Sequence, residues 1–270
     1  GDMTRVPGST SSLLKEQAEG RSVSIVYSPL DALKLAQENP DQQIVFVGVG
    51  FETTTPLVAM AIKRAKALGL KNVSVFVAHK NMPGALETIV SDPSLRIDAL
   101  ILPGHVSTII GMKPYEFLAK KYGIPGVITG FEAVDVLQGV AMIMRQLHEG
   151  RAEIEIAYTR GVAPEGNQVA VAAINEVFHT VEATWRGLGV IPGSGYAIRP
   201  EFAEFDAFQR FEPAVEPTQE PKGCRCGDVL RGMMAPNECP LFRKVCTPEN
   251  PVGPCMVSSE GSCAAYFRYL

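Results

Sequence analysis

The sequence lacks the features expected of a membrane protein or a nucleic-acid-binding protein. It has no apolar run of the roughly 18 to 20 residues that a helix needs to span a bilayer, and no signal-peptide core at its start. Its 25 lysines and arginines are scattered and are outnumbered by 29 acidic residues, so the formal net charge is −4 and no phosphate-binding surface is expected. We therefore expect a cytoplasmic protein that acts on neither membranes nor nucleic acids.

Cysteine is absent from the first 223 residues, and all six cysteines follow within a short segment rich in glycine and proline. Such a segment buries too little apolar surface to hold its shape by packing alone. In a reducing compartment, clustered thiols more often bind metal or do redox chemistry than form structural disulfides. This segment is the main functional signal in the chain. Its thiols are Cys224, Cys226, Cys239, Cys246, Cys255 and Cys263.

The spacing of these thiols leaves several interpretations open. The close C-x2-C pairs of a zinc ribbon are absent, so zinc is not favoured. An iron–sulfur cluster needs four thiolates and tolerates ligands drawn from separated loops. Spacing alone does not select four ligands out of six, and disulfides or free thiols remain alternatives.

The composition, with 46% hydrophobic residues among 270, supports one large or two medium cores beside the cysteine-rich segment. Between residues 23 and 130, short β-branched runs alternate with helical patterns, which is typical of a doubly wound parallel α/β sheet. Ser28-Pro29 and Thr55-Pro56 each place a capping oxygen before a proline suited to a first helical turn. The predicted strands are 23–27, 44–49, 73–78, 99–102 and 126–129, and the predicted helices are 29–38, 56–68, 83–90 and 113–122. We expect these five strands to form one sheet in a complete lobe at 22–131.

The alternation of β-branched runs and helical patterns becomes less regular after residue 130. A predicted helix at 133–149, a strand at 154–158 and a helix at 167–181 supply too few strands to close a second sheet. We interpret residues 1–21 and 132–215 as the remainder of a second, incomplete α/β lobe. The composition then turns to Pro, Glu, Thr and Gln from about 212 to 221, which predicts a linker into a cysteine-rich domain at 216–270.

Glu52 and His105 each follow a predicted strand and precede a predicted helix. The carboxyl ends of parallel strands meet at one edge of a sheet, so we expect both side chains to share the usual ligand crevice. A capped turn around Glu52 and a structural hydrogen-bonding role for His105 remain open. A nucleotide-dependent enzyme is disfavoured, because Thr53 stands where a dinucleotide fingerprint has its third glycine and no P-loop lysine follows.

Several motifs, in one order along essentially the whole chain, resemble the HypD-type hydrogenase maturation proteins. The matching stretches are Gly1-Asp2-Met3 with Arg5-Val6-Pro7-Gly8, Ile25-Val26-Tyr27-Ser28-Pro29 with Asp31-Ala32-Leu33, Gly50-Phe51-Glu52-Thr53-Thr54, Pro103-Gly104-His105-Val106-Ser107, Trp185-Arg186-Gly187-Leu188-Gly189 and Met256-Val257-Ser258-Ser259-Glu260-Gly261. Several motifs in the same order are far more specific than any one of them.

The resemblance implies a scaffold on which the Fe(CN)2CO unit of nickel–iron hydrogenases is assembled, together with HypC-type and HypE-type partners. It implies two Rossmann-like α/β lobes, one of them incomplete here, and a small carboxyl-terminal domain that carries a [4Fe–4S] cluster. By the family pattern the cluster ligands are Cys226, Cys239, Cys246 and Cys263, which leaves Cys224 and Cys255 as spare thiols.

A scaffold with an electron-transfer role is therefore expected rather than a stand-alone catalyst, with Glu52 and His105 shaping the assembly crevice. A zinc-stapled α/β ligand-binding protein without a redox role remains the alternative.

The sequence departs from the family pattern in one respect. The iron-holding Cys-Gly-Gly-His motif and the redox motif Gly-Pro-Gly-Cys-Pro-x-Cys lie upstream of the Gly-Asp-Met stretch, with which this chain begins. We therefore interpret the chain as lacking the family's amino-terminal segment. The Fe(CN)2CO iron is expected only transiently, and only on the complete protein.

Overall fold

The structure is a computed structural model of the chain, and it describes residues 2–6, 8, 10–215 and 221–270. Gly1 and Pro7 of the amino-terminal motifs and residues 216–220 of the predicted linker lie outside the described residues. No helix in the described part of the chain is both long and apolar enough to cross a membrane.

The described residues form a mixed α/β fold with parallel sheets, as predicted. The α-helices are α1 (Leu13–Ala18), α2 (Pro29–Glu38), α3 (Thr55–Ala67), α4 (Met82–Val90), α5 (Gly104–Ile110), α6 (Glu116–Tyr122), α7 (Ala133–Glu149), α8 (Gln168–Val177), α9 (Ala207–Phe211), α10 (Cys226–Leu230), α11 (Pro254–Val257) and α12 (Ser262–Tyr269). Short 3-10 helices lie at Asp2–Arg5, Lys113–Tyr115, Pro200–Phe205 and Pro236–Glu238.

The strands belong to three sheets. They are β1 (Ile44–Gly50), β2 (Val73–His79), β3 (Leu100–Pro103), β4 (Gly126–Thr129), β5 (Ile154–Ile156), β6 (Phe178–Trp185) and β7 (Gly189–Ile198). Strands β1 and β2 pair in parallel, β3, β4 and β5 form a second parallel sheet in that order, and β6 and β7 form an antiparallel hairpin.

The prediction of one five-stranded sheet is wrong. Residues 23–27 contain no strand, and Tyr27 at the end of that stretch is 98% exposed. A β-branched run becomes a strand only where a neighbouring strand pairs with it. The other four predicted strands divide between two sheets, and β5, which we assigned to the second lobe, pairs with β4 after the crossover through α7.

The predicted helix at 167–181 is wrong in its second half. Helix α8 ends at Val177, and the chain continues directly into β6. The hairpin turn between β6 and β7 uses Gly187 and Gly189 with φ of +82° and +79°, a conformation that glycine adopts without steric penalty. Residues 178–185 form strand β6 because they pair with β7. The apolar pattern of α8 is helical, and it does not predict that a strand follows.

The helix-start signals are confirmed in one case and not in the other. The Ser28 side chain accepts a hydrogen bond from the Leu30 N–H, and Asp31 completes a capping box for α2. Thr55, by contrast, is already inside α3, and its hydroxyl donates to the Phe51 carbonyl at 2.8 Å.

Apolar side chains gather in three main clusters. One packs α2, α3 and α8 against β1 and β2, and a second surrounds β3, β4 and β5 with α4 and α6. The third lies in the cysteine-rich segment around Phe242 and Met256. The division of the chain into domains at 22–131, 1–21 with 132–215, and 216–270 remains a prediction.

Candidate functional site

A small cavity in the cysteine-rich segment is lined by five of the six thiols. The void holds about 10 Å³, roughly the room for one water molecule. The rest of its wall is mostly apolar and includes Leu241, Phe242 and Met256. The five lining cysteines are Cys224, Cys226, Cys239, Cys246 and Cys263.

Different local structures bring these thiols together. Cys226 is the first residue of α10, and Cys263 is the second residue of α12. Cys239 directly follows the 3-10 helix Pro236–Glu238. The Cys246 N–H donates to the Leu241 carbonyl at 3.0 Å, which closes a tight turn and points the chain back toward the cavity.

Cys224 and Cys226 bring their thiols close together. Their Sγ atoms lie 3.4 Å apart, and the backbone of Gly253 passes directly beside both. A Cβ at position 253 would stand 2.5 Å from Sγ of Cys224 and 2.7 Å from Sγ of Cys226. Only glycine leaves room for the two sulfurs at this point. Sequence reasoning missed Gly253, because a close tertiary approach leaves no mark in local spacing.

Cys255 is buried but is not among the residues that line the cavity. Its thiol hydrogen-bonds to Cys226 and Cys263, and these bonds, with burial, raise the pKa of Cys255. Hydrogen bonds from the Cys226 and Cys255 thiols lower the pKa of Cys263. Burial raises the pKa of Cys224.

The thiols surround the cavity without converging on one point. Among the described residues, no three His, Cys, Asp or Glu side chains are placed to hold a single metal ion. Four sulfurs bonded to one zinc ion would stand roughly 3.8 Å apart, given a Zn–S bond of about 2.3 Å. A four-iron cluster separates its ligand sulfurs more widely, because the metal atoms lie between them. Thiolates are ligands of zinc and of iron–sulfur clusters alike, so the donor set fits the expected cluster and fits zinc as well.

Glu52 is 1% exposed and follows β1. Its Oε1 accepts a 3.0 Å hydrogen bond from the Met82 N–H at the start of α4, and its Oε2 has no hydrogen-bond partner among the described residues. Burial raises the pKa of Glu52 to about 7, against the opposing effect of hydrogen bonds from the backbone of Glu52 and Met82. Near neutral pH this carboxyl is therefore both a proton donor and a proton acceptor.

The charge of Glu52 acts on two tyrosines, the buried Tyr115 and the half-buried Tyr196. Burial raises the pKa values of Tyr115 and Tyr196, and the negative charge of Glu52 raises them further. The Tyr115 hydroxyl lies beside Ser107 but has no hydrogen-bond partner among the described residues. The Ser107 hydroxyl itself donates to the Pro103 carbonyl at 2.8 Å. Sequence reasoning missed both tyrosines, which carry no local motif.

His105 lies in a different environment from Glu52. It is exposed in the first turn of α5, and its ring stacks on Phe131 with centroids 4.1 Å apart. The expectation that His105 and Glu52 share one sheet edge is wrong, because β1 and β3 belong to different sheets. No hydrogen bond among the described residues joins the two side chains, and their functional roles remain predictions.

His79 ends β2 and is 2% exposed. Neither ring nitrogen has a partner among the described residues, and burial lowers the pKa of His79 to about 4. The ring occupies space that a side chain at Gly48 would fill, since a Cβ there would stand 2.7 Å from Cε1 of His79. This histidine is held neutral in the interior.

Comparison with known proteins agrees with the resemblance seen in the motifs. The HypD family model, described as the hydrogenase formation hypA family, matches residues 1–270. The hydrogenase expression/formation protein HupD of Azotobacter chroococcum mcd 1 is 51% identical over 278 residues, which cover 100% of this chain and 73% of that protein.

Two further relatives match all of this chain over a similar share of their own length. The hydrogenase maturation factor HypD of Azotobacter vinelandii is 50% identical, with 100% of this chain and 73% of the relative covered. The hydrogenase maturation factor HypD of Escherichia coli (strain K12) is 45% identical, with 100% and 72% covered. A family model that matches end to end and relatives at this level of identity leave one conclusion: this chain belongs to the HypD family.

Proposed function

We propose that this chain acts in the maturation of nickel–iron hydrogenases as an iron–sulfur scaffold, on which the Fe(CN)2CO unit is assembled with HypC-type and HypE-type partners. Its relatives are named hydrogenase maturation factors. The observation that carries the iron–sulfur part of the proposal is the single cavity lined by five thiols.

The geometry of the cavity supports a particular set of four ligands. Cys224 and Cys226 are separated by one residue and their sulfurs lie 3.4 Å apart, and the proposal takes one of the two as a ligand. Cys226 is the better candidate, because it is buried at the start of α10 whereas Cys224 is only partly buried. With Cys255 outside the lining, the proposed ligands of a [4Fe–4S] cluster are Cys226, Cys239, Cys246 and Cys263.

The three apolar clusters support a division into two Rossmann-like lobes and a cluster domain. The proposed lobes differ from the predicted lobe at 22–131, because the sheet of β1 and β2 is the centre of one lobe and the sheet of β3, β4 and β5 is the centre of the other. The cysteine-rich segment has its own apolar cluster around Phe242 and Met256, which fits a separate small domain.

A bound cluster supplies one electron at a time, while the residues of this chain hold it and limit its contact with water. Leu241, Phe242 and Met256 form the apolar wall of the cavity, and such a wall lowers the local dielectric and so tunes a redox centre. The Fe(CN)2CO iron is cargo rather than a resident cofactor. The family's Cys-Gly-Gly-His and Gly-Pro-Gly-Cys-Pro-x-Cys motifs do not occur among these 270 residues, and the proposal assigns this iron to none of them.

The proposal is tested by binding of the anaerobically purified chain to a HypC-type protein. Co-elution of the two on a sizing column, with iron and sulfide retained, supports the scaffold role. A chain that carries stoichiometric zinc and elutes alone supports the zinc-stapled ligand-binding alternative. A chain that retains iron and sulfide but elutes alone refutes the assembly role and leaves an iron–sulfur protein of another function.

A further inference from the structure

We propose that Arg231 is a positioning residue that fastens helix α10, which begins with Cys226, to the loop between α4 and β3. Through this attachment, metal binding by the thiols and docking of the cysteine-rich segment on the α/β part of the chain stabilise each other. The inference rests on the proposed function only in taking Cys226 as a ligand, and it holds for an iron–sulfur cluster and for zinc alike.

Helix α10 carries both a proposed ligand and a contact with the rest of the chain. Cys226 is its first residue, and Arg231 directly follows its last. Nε of Arg231 donates to the Gly227 carbonyl at 3.0 Å, and Nη2 donates to Oδ1 of Asp228 at 3.3 Å. The guanidinium is therefore bound to the two residues that follow Cys226.

The same guanidinium reaches out of the cysteine-rich segment to Asp92. Its Nη1 donates to Oδ2 of Asp92 at 2.9 Å, and only 29% of the Arg231 side chain and 24% of the Asp92 side chain are exposed. Oδ1 of Asp92 accepts hydrogen bonds from the N–H and the hydroxyl of Ser94 at 2.8 and 2.6 Å. Hydrogen bonds from Ser94 and Arg231 lower the pKa of Asp92 to about 2. Asp92 is therefore ionised at neutral pH, and a charge-assisted hydrogen bond of this kind is stronger than a neutral one.

Two glycines allow close backbone contact on either side of Arg231. A Cβ at Gly227 would collide with the carbonyl oxygen of Gly187, in the turn between β6 and β7. A Cβ at Gly232 would stand 3.2 Å from the carbonyl oxygen of Arg96, in the same loop as Asp92. Helix α10 and the residues after it are therefore packed against the hairpin turn and against the loop at 92–97.

The hairpin that meets α10 also packs beside Glu52. Its Trp185 has a ring centroid 6.0 Å from that of Phe51, the residue before Glu52. Nε1 of Trp185 donates to Oγ of Ser194 at 2.8 Å, which fixes the indole on the hairpin. Docking of α10 therefore holds the cysteine-rich segment on an element that contacts the Glu52 turn.

Metal binding and docking are linked because they share α10. A metal group bound by Cys226 fixes the start of the helix, and Asp92 fixes its end through Arg231. Once one attachment has ordered the helix, the other orders fewer residues and costs less conformational entropy. By thermodynamic reciprocity, docking strengthens metal binding by the same factor by which the metal strengthens docking.

The first arm of the test measures release of the metal. Anaerobically purified parent, Asp92→Asn and Arg231→Ala are mixed with excess chelator, and the metal that remains on the protein is measured over time together with the visible absorption. Both variants should release metal at least about fivefold faster than the parent, which is the lower end of typical coupling between sites. Arg231→Lys should lie between them and the parent, because lysine keeps the charge and loses the fork. Arg268→Ala, at an exposed position of α12, is the matched control and should release metal at the parent's rate.

The second arm uses the parent alone, so it does not depend on the folding of any variant. Amide hydrogen exchange is compared by mass spectrometry between the metal-loaded and the metal-free protein. Removal of the metal should speed exchange at 92–97 and at 185–189, two stretches that contain none of the thiols. A purely structural role of Arg231 would leave exchange in these stretches unchanged.

Two results would overturn the inference: release from Asp92→Asn and Arg231→Ala at the parent's rate, or exchange at 92–97 that is the same with and without metal. A parent that holds zinc in place of iron and sulfide refutes the proposed cluster, and the same two measurements on the zinc form still decide the inference. A parent that holds neither metal refutes both.

Discussion

Oε1 of Glu52 accepts a 3.0 Å hydrogen bond from the backbone N–H of Met82 and so ties the end of β1 to the first turn of α4. Burial raises the pKa of this carboxyl from 4.5 to about 7. Between these pH values the folded chain keeps a proton that the unfolded chain has released. The contribution of Glu52 to stability is therefore complete below pH 4.5 and is lost as the pH rises through 7.

The first prediction concerns Glu52→Gln, which keeps the shape and the acceptor oxygen but does not titrate. The free energy of unfolding of this variant, relative to the parent, should rise by about 2 to 3 kcal/mol between roughly pH 5 and pH 8. Urea unfolding at each pH measures it. Thr180→Ala on the exposed side of β6 removes no titrating group and is the control, so its difference in stability from the parent should not change with pH. A flat difference for Glu52→Gln as well would contradict the raised pKa.

The second prediction concerns His79, whose pH dependence has the opposite sign. Its pKa falls from 6.5 to about 4 on folding, so the unfolded chain takes up a proton that the folded chain does not. Stability from this residue is present above pH 6.5 and is lost as the pH falls toward 4. His79→Leu removes the titrating ring and its two unpaired nitrogens.

Relative to the parent, His79→Leu should gain about 2 kcal/mol between roughly pH 7 and pH 5. The measurement is the same series of urea unfolding curves. A variant whose relative stability stays constant or falls on acidification would show that the ring is charged or solvated in the folded chain.

The third prediction concerns Asn72, which fastens the end of α2 to the start of β2. The two N–H groups of its Nδ2 are shared among the carbonyls of Ala36, Asn39 and Gln42 at 2.9, 3.0 and 3.0 Å. Asn72→Leu leaves these carbonyls without their donor and should lower the free energy of unfolding by roughly 2 to 3 kcal/mol.

The matched control for Asn72 is Gln37→Leu on the exposed face of α2, which should change stability by less than about 0.5 kcal/mol. Equal effects of the two substitutions would mean that the three hydrogen bonds add nothing to stability.

Sequence reasoning located the local elements and failed on pairing between distant ones. The bounds of α2 and α7 were predictable because Ser28, Pro29 and the apolar period of 133–149 act within a few residues. The separation of β1 from β3 and the hairpin that begins at Phe178 depend on partners far along the chain. Hydrophobic pattern alone does not encode such pairings.

The same limit applies to the candidate site. The clustering of cysteines was evident from the sequence, since it is a matter of composition along the chain. The contact of Gly253 with two sulfurs and the contrast between buried Glu52 and exposed His105 are tertiary facts. Residue type and spacing therefore indicated which chemistry to look for, and packing determined where the groups lie.

The fourth prediction separates ligands from spare thiols. Single replacement of Cys239, Cys246 or Cys263 by alanine should abolish the visible absorption and release the iron. Each of these cysteines lines the cavity and is proposed to bind one iron of the cluster. Cys255→Ser is the matched control. It lies outside the cavity lining and its hydroxyl keeps a donor toward Cys226 and Cys263, so it should retain the absorption. Loss of the absorption in Cys255→Ser would show that the ligand set is wrong.

The central claim is that the cysteine-rich segment holds a [4Fe–4S] cluster, and metal analysis of the anaerobically purified chain tests it most directly. Iron, acid-labile sulfide and zinc are measured per chain alongside the visible spectrum. The account predicts a brown protein with about four iron and four sulfide per chain. A colourless protein with stoichiometric zinc and no sulfide would contradict it.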